Sequence, residues 1–287
     1  MSRLLFPVLA VALAAAFAGC GVAAGDGRPT VVASFYPLQY VVSELAGSHV
    51  RLLGLTQPGV EPHDLELKVR QVAEVSAADL VVYEHGLQPS VDDAVHNNAK
   101  DRGLDIAPLV DLHSGNPHFW LDPVRLAMAA RGIEARLAKV DPTHADDYAA
   151  NLATLTAKLE DLDAEFRSGL AHCDRDLVVT SHDAFGYQEK YGLRFAAIAG
   201  LSPDAEPSPA HLARLRSLID SEHITTVFSE TLASPKMADT LSRDLGLHAA
   251  VLDPIEGVAA RSSKDYLSIM RANLAALQEA NGCRVTP

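Results

Sequence analysis

The stretch Asp176-Leu177-Val178-Val179-Thr180-Ser181-His182 decides how the chain is read. It is a short, β-branched apolar run that turns polar abruptly at its end, the pattern of a strand covered on both faces. Runs of the same kind stand at 30–36 (TVVASFY), 49–55, 79–83 (DLVVY), 104–110, 193–199, 224–229 (ITTVFS) and 248–253 (HAAVLD). Stretches with helical spacing lie between them, at 37–47, 64–78, 88–98, 184–191, 209–221 and 235–245, and another at 262–280 closes the chain. Strand and helix in alternation give parallel sheets with helices on both faces.

The middle of the chain breaks this rhythm. Residues 123–140 are helical by their apolar spacing, Asp141-Pro142 interrupts, and 143–170 resumes as a long amphipathic helix. Those residues would extend roughly 42 Å at the standard helical rise. Four strand–helix units precede this helix and four follow it. The expected fold class is therefore α/β, with two lobes that each hold a four-stranded, mostly parallel sheet flanked by helices. One long rigid helix joins them. The expected boundaries are 29–141 for the first lobe, 142–171 for the linking helix and 172–287 for the second lobe.

Composition narrows the function. The 287 residues are 48% hydrophobic and 21% charged, which is globular. Twenty-four basic against 37 acidic residues leave a formal charge of −13, which argues against a nucleic-acid partner and suits a cationic ligand. Arg3 precedes an apolar run from Leu4 to Ala16, the pattern of a secretory signal that is too short for a membrane span. It ends in Phe17-Ala18-Gly19-Cys20, which resembles the lipobox of bacterial lipoproteins. The expectation is a signal peptide at 1–19, a lipidated spacer at 20–28 beginning on Cys20, and a lipid tether outside the cytoplasmic membrane or a periplasmic location. Two cysteines remain, Cys173 and Cys283. An exported chain with an even remainder is expected to pair them in one disulfide.

Ligands of open parallel sheets bind outside the carboxyl ends of the strands. Four polar residues stand there: His63 after the second strand, His118 after the fourth, His182 at the end of the fifth and Asp253 at the end of the last. His118 lies in Asn116-Pro117-His118-Phe119-Trp120-Leu121-Asp122-Pro123, where two prolines stiffen the turn. A lone histidine beside aromatics is ordinarily packed, but packed histidines have no reason to gather at strand ends. Three imidazoles and a carboxylate suit a tetrahedral Zn2+. Imidazole also suits copper, nickel and iron, whereas manganese wants more oxygen ligands. The candidates are 55, 64 and 71 residues apart, so only the tertiary fold can assemble them. Asp64, Asp122 and Asp183 adjoin or lie near these histidines and are candidates to orient them, as is Glu230 after another strand end.

These residues resemble the zinc/manganese substrate-binding proteins of bacterial ABC importers, the ZnuA-like cluster. The resemblance runs from about Thr30 to Ala280. It is carried by Pro62-His63-Asp64, by the Asn116–Pro123 turn, by Thr180-Ser181-His182-Asp183-Ala184-Phe185-Gly186-Tyr187, by Asp204-Ala205-Glu206-Pro207-Ser208 and by Leu252-Asp253-Pro254. It implies that His63, His118 and His182 bind the metal, with Asp253 completing or flanking the site. Manganese members typically carry Glu at the third position, so His182 matches the zinc branch. The resemblance also implies a two-lobed fold, an ABC permease as partner and delivery of Zn2+ to it, with a metallochaperone as a further partner. Two departures stand out: Leu65-Glu66-Leu67-Lys68 replaces the usual turn after His63, and the loop before Asn116 is short, with only His113 and the more distant His96.

A three-histidine zinc site can also activate water, but no His-Glu-x-x-His helix or Gly-x-Ser-x-Gly elbow is present. The expectation is a monomeric binding protein and not an enzyme. A manganese-binding relative, a zinc hydrolase or a surface adhesin are the alternatives.

Overall fold

The structure is a computed structural model that describes residues 27–113, 115–259 and 262–284. The signal peptide, Cys20 and most of the spacer lie outside the described residues. Two four-stranded sheets form, both wholly parallel. The first holds β1 (Thr30–Ala33), β2 (Arg51–Gly54), β3 (Leu80–Tyr83) and β4 (Gly103–Asp105) in the order β2-β1-β3-β4. The second holds β5 (Leu177–Thr180), β6 (Arg194–Ala197), β7 (Thr226–Ser229) and β8 (His248–Val251) in the order β6-β5-β7-β8. The two orders are one topology used twice, although the two halves share no obvious sequence repeat.

Local chemistry sets the helices. α1 (Tyr36–Ala46), α3 (Pro89–Asn98), α4 (Pro123–Val140) and α6 (Pro209–Ser221) each carry proline in the first turn, where its missing N–H is no loss. Asp122 caps α4 by accepting from Val124 N, and Ser208 caps α6 by accepting from His211 N. α7 (Lys236–Leu245) stops at Gly246, whose φ of 67° is left-handed. α8 (Tyr266–Asn281) opens on a capping box between Asp265 and Ser268.

Four expectations shift in detail. The strand expected at 104–110 is only β4, because Asp105 accepts from Ala107 N and Pro108 then closes a 3-10 turn at Ala107–Leu109. The helix expected from residue 64 begins at Val69 as α2 (Val69–Ala77); Leu65 and Leu67 pack from a loop, and Val69 is 89% exposed. Residues Phe185–Tyr191 wind as a 3-10 helix, a short stretch containing Gly186 and closed by Gly192 at a φ of 90°. The long helix is α5 (Ala145–Gly169), 25 residues, preceded by a 3-10 turn at Pro142–His144.

α5 lies against α1 and α4 of the first lobe and α8 of the second. Its buried Leu155, Leu159, Leu162 and Phe166 belong to one apolar core that runs from Val31 and Leu38 through Trp120 to Leu252 and Leu277. The lobes therefore share a core. Two buried hydrogen bonds reinforce it: Trp120 Nε1–H donates to the Pro254 carbonyl at 2.7 Å, and the Tyr266 hydroxyl donates to the Trp120 carbonyl at 2.6 Å. A disulfide joins Cys173 to Cys283, 110 residues apart, and ties the end of α8 to the entrance of the second lobe.

Closing a loop of that length constrains the unfolded chain by roughly 4–5 kcal/mol. Replacing both cysteines by alanine should lower the unfolding free energy by about that amount in denaturant titrations, and a loss below about 1 kcal/mol would show that the bridge contributes little.

Candidate metal centre

Three turns and one loop converge where the lobes meet. His63 lies in the segment after β2, and His118 enters on the Asn116–Pro123 turn. His182 stands two residues beyond β5. The fourth group is Glu256, in the segment after β8. The Nε2 atoms of His63 and His118 are 3.3 Å apart, and those of His118 and His182 are 3.1 Å apart. Glu256 Oε1 lies 3.0 Å from His63 Nε2, 3.0 Å from His118 Nε2 and 3.2 Å from His182 Nε2. All four ligating atoms fall within 4.8 Å of one another.

Asp253, the carboxylate expected here, is outside this group. Its Oδ1 accepts from Ile255 N at 2.8 Å and its Oδ2 from the Thr231 hydroxyl at 3.0 Å. Its own backbone N–H and carbonyl are both held by Asn273. Asp253 thus builds the turn, and Ile255 completes it at a φ of 57°, a conformation that β-branched residues rarely adopt. That turn carries Glu256 inward. The signal was available three residues further along, a second acid in the same strand-end loop followed by Gly257.

Of the four residues expected to orient the histidines, Glu230 alone contacts one with its side chain. Glu230 Oε1 accepts from His182 Nδ1 at 2.7 Å and from His182 N at 3.1 Å. For His118 the acceptor is Asn116 Oδ1, at 2.7 Å from Nδ1 and 3.0 Å from the backbone N, a role the sequence reading missed. Asp122 instead caps α4 and pairs with Lys190 and Arg125. Asp183 offers Asn116 Nδ2 its backbone carbonyl, at 3.1 Å, rather than its carboxylate. Asp64 is exposed and groups with Glu61 and Asp204 at the surface. His113 is held away from the centre, accepting from Arg125 and stacking on Tyr187 at 5.4 Å between ring centroids.

With Nδ1–H of His118 and His182 committed to these acceptors, their Nε2 lone pairs point at the centre, which is the arrangement a metal requires. Burial disfavours charge on His182, but Glu230 and Glu256 outweigh it and hold its pKa at about 10. Burial dominates at His118, whose support is a neutral amide, and lowers its pKa to about 4. Burial would raise Glu256 too, yet its three imidazole contacts hold it well below the ordinary carboxylate range. As an imidazolium, His182 directs its Nδ1–H to Glu230 and its Nε2–H toward Glu256, and a metal would take the place of the second proton. His118, His182 and Glu256 are buried, whereas the His63 side chain is 11% exposed, so the centre opens on the His63 side.

A two-lobed α/β fold with a closed imidazole–carboxylate centre at the lobe boundary defines the class of solute receptors that bind a metal ion. Residues 31–280 match the family described as "Zinc-uptake complex component A periplasmic", and the chain belongs to that family. It is 33% identical over 277 residues to the high-affinity zinc uptake system protein ZnuA of Bacillus subtilis, covering 87% of this chain and 86% of that one. It is 32% identical to the zinc-binding lipoprotein AdcA of Streptococcus pneumoniae, covering 88% of this chain and 56% of AdcA, so it spans about half of that relative. The Zn(II)-bound ZnuA-like domain of AdcA superposes with a TM-score of 0.76 at 33% identity, covering 89% of this chain and 99% of the domain. The laminin-binding protein Lmb of Streptococcus agalactiae, described as both adhesin and metal transporter, superposes with a TM-score of 0.81 at 30% identity over 88% of this chain and 99% of that one. The zinc-uptake relatives are transport components, not enzymes, and the family is extracytoplasmic. No helix among the described residues is long and apolar enough to cross a membrane.

The two carboxylates can be separated by titration with Zn2+ against a competing chelator. Asp253→Asn keeps the acceptor of the turn and should change affinity less than about tenfold, Glu230→Gln should weaken it about 10–100-fold, and Glu256→Gln more than either. Equal losses for Asp253→Asn and Glu256→Gln would return Asp253 to the ligand set.

Proposed function

We propose that this chain captures Zn2+ between its lobes, with His63, His118, His182 and Glu256 as ligands, and delivers it to the permease of an ABC importer. One observation carries the reading: four ligand atoms from both lobes meet at a point. Zn–N bonds of 2.0–2.1 Å imply tetrahedral edges of about 3.3–3.4 Å. Five of the six pairwise separations are 3.0–3.3 Å. A shell of three imidazoles and one carboxylate favours zinc over manganese, which prefers more oxygen. A fourth protein ligand closes the shell and leaves no open position for the activated water of a hydrolase.

The proposal extends to placement. Lipidation at Cys20 would hold the receptor at the outer face of the cytoplasmic membrane beside its permease, as a monomer. The lobes 29–141 and 172–287, linked through 142–171, would move as one body, because their common core and the Trp120–Pro254 bond oppose a wide hinge. Capture is then local ordering around His63. With His113 engaged by Arg125, a metallochaperone would deliver the ion at the His63 side.

Purified protein should hold one equivalent of zinc, and His118→Ala and His182→Ala should each lose it on dialysis against chelator; retention in both variants would remove the assignment. Zinc must also displace the proton on His182. Since that group is protonated below about pH 10, apparent affinity should rise with pH, by about tenfold per unit between roughly pH 6 and 8. Calorimetry in buffers of different ionisation enthalpy should show about one proton released per zinc near pH 7. A flat pH profile would mean that His182 is neutral before binding.

A further inference from the structure

His118 reaches the centre on the Asn116–Pro123 turn of the first lobe, and Asn116 steers it, since its Oδ1 accepts from both His118 Nδ1 and His118 N. What steers Asn116 lies in the other lobe. Its Nδ2 donates to the carbonyl of Asp183, the residue after His182, at 3.1 Å. Its backbone carbonyl accepts from the Tyr187 hydroxyl at 2.7 Å. Its backbone N–H goes to the His113 carbonyl at 2.9 Å, so every polar group of Asn116 is engaged.

The Tyr187 hydroxyl is used twice. While it donates to Asn116, it accepts from His113 N at 2.9 Å. A phenolic hydroxyl can donate and accept at once, so the two bonds do not compete. His113 and Asn116 are thereby drawn to the same oxygen, which closes the base of the turn.

The tyrosine ring is itself held in place. It is 4% exposed, stacks on His113 at 5.4 Å and carries the Arg125 guanidinium 5.0 Å from its centroid. Arg125 in turn donates to the Val110 and Asp111 carbonyls just before His113. Tyr187 belongs to the 3-10 helix Phe185–Tyr191, five residues beyond His182. One short segment of the second lobe therefore supplies both a member of the centre and the oxygen on which the opposite turn rests.

We propose that Tyr187 is a positioning residue for zinc capture. Its hydroxyl, acting through Asn116, sets His118 of one lobe against His182 of the other before the ion arrives. The inference rests on the zinc reading of the centre. The two Nε2 atoms stand 3.1 Å apart, close to the edge of a tetrahedral zinc shell. A preset pair needs little ordering when the metal binds, so losing the hydroxyl weakens affinity and loosens the geometry of the shell.

Tyr187→Phe removes the hydroxyl and keeps the ring. Titrated with Zn2+ against a competing chelator, the full-chain variant should bind about tenfold more weakly than native protein. Co2+ in the same centre reports geometry, because a tetrahedral site absorbs visible light far more strongly than a five- or six-coordinate one. At saturating Co2+ the variant should show a weaker and shifted visible band. A chain that is merely less stable, such as the Cys173→Ala/Cys283→Ala variant, should keep the native band. Because Tyr187 acts through Asn116, Tyr187→Phe combined with Asn116→Ala should bind Zn2+ within about threefold of Asn116→Ala alone. Native zinc affinity in Tyr187→Phe, or weakened binding with a native Co2+ band, would overturn the inference and leave the zinc reading intact. Full additivity of the two substitutions would do the same. Native protein that takes up neither metal would overturn both readings.

Discussion

The structure depends on one desolvated carboxylate. Glu256 Oε1 sits within 3.2 Å of three imidazole nitrogens, with its side chain 2% exposed. Its charge is tolerable there only because a cation, either a proton shared with His182 or a metal, faces it. The remaining features serve that meeting. The Asn116–Pro123 turn aims His118 and the Asp253 turn aims Glu256. Glu230 and Asn116 fix which ring nitrogen faces inward. Ile255 in a left-handed conformation is local strain accepted at the same place.

Positioning four groups to tenths of an ångström requires a stiff frame. Interdigitated cores resist deformation because each side chain already fills its space. Here the apolar core does not stop at the lobe boundary. Phe35, Trp120 and Tyr266 carry it across, with Phe35 and Trp120 ring centroids 4.8 Å apart and Tyr40 stacked on Tyr266 at 5.4 Å. Trp120 does more than bridge the lobes. It also donates to the Pro254 carbonyl, two residues before Glu256, and so fastens the turn that presents the carboxylate.

Much of this was legible in the residues. Short β-branched runs and the long breaker-poor stretch before Cys173 announce the two sheets and α5, because burial on both faces and helical spacing leave strong periodic marks. The three histidines were legible for the same reason, standing where strands end. Asp253 misled because an acid directly at a strand end satisfies two different demands, binding a ligand or capping a turn, and only the hydrogen bond to Ile255 N distinguishes them. Asn116 went unrecognised because an amide before proline reads as turn chemistry, although it also orients His118. The four-and-four repeat of strands was legible but their common spatial order was not, because the same order tolerates Phe35 where its counterpart is His182.

The distribution of ligands across the chain has a consequence for how the protein is made. His63 and His118 come from one sheet's loops, His182 and Glu256 from the other's, and Glu256 lies beyond β8, the last strand of the second sheet. A chain that has not yet folded its last strand and the turn beyond it therefore cannot bring these four groups together. If zinc fills it as proposed, the shell spans both halves, and an ion at about a thousandfold above its Kd would favour the assembled form by about 4 kcal/mol. Under the zinc proposal such an ion would be the final tertiary contact, which would make completion of folding and acquisition of cargo a single event.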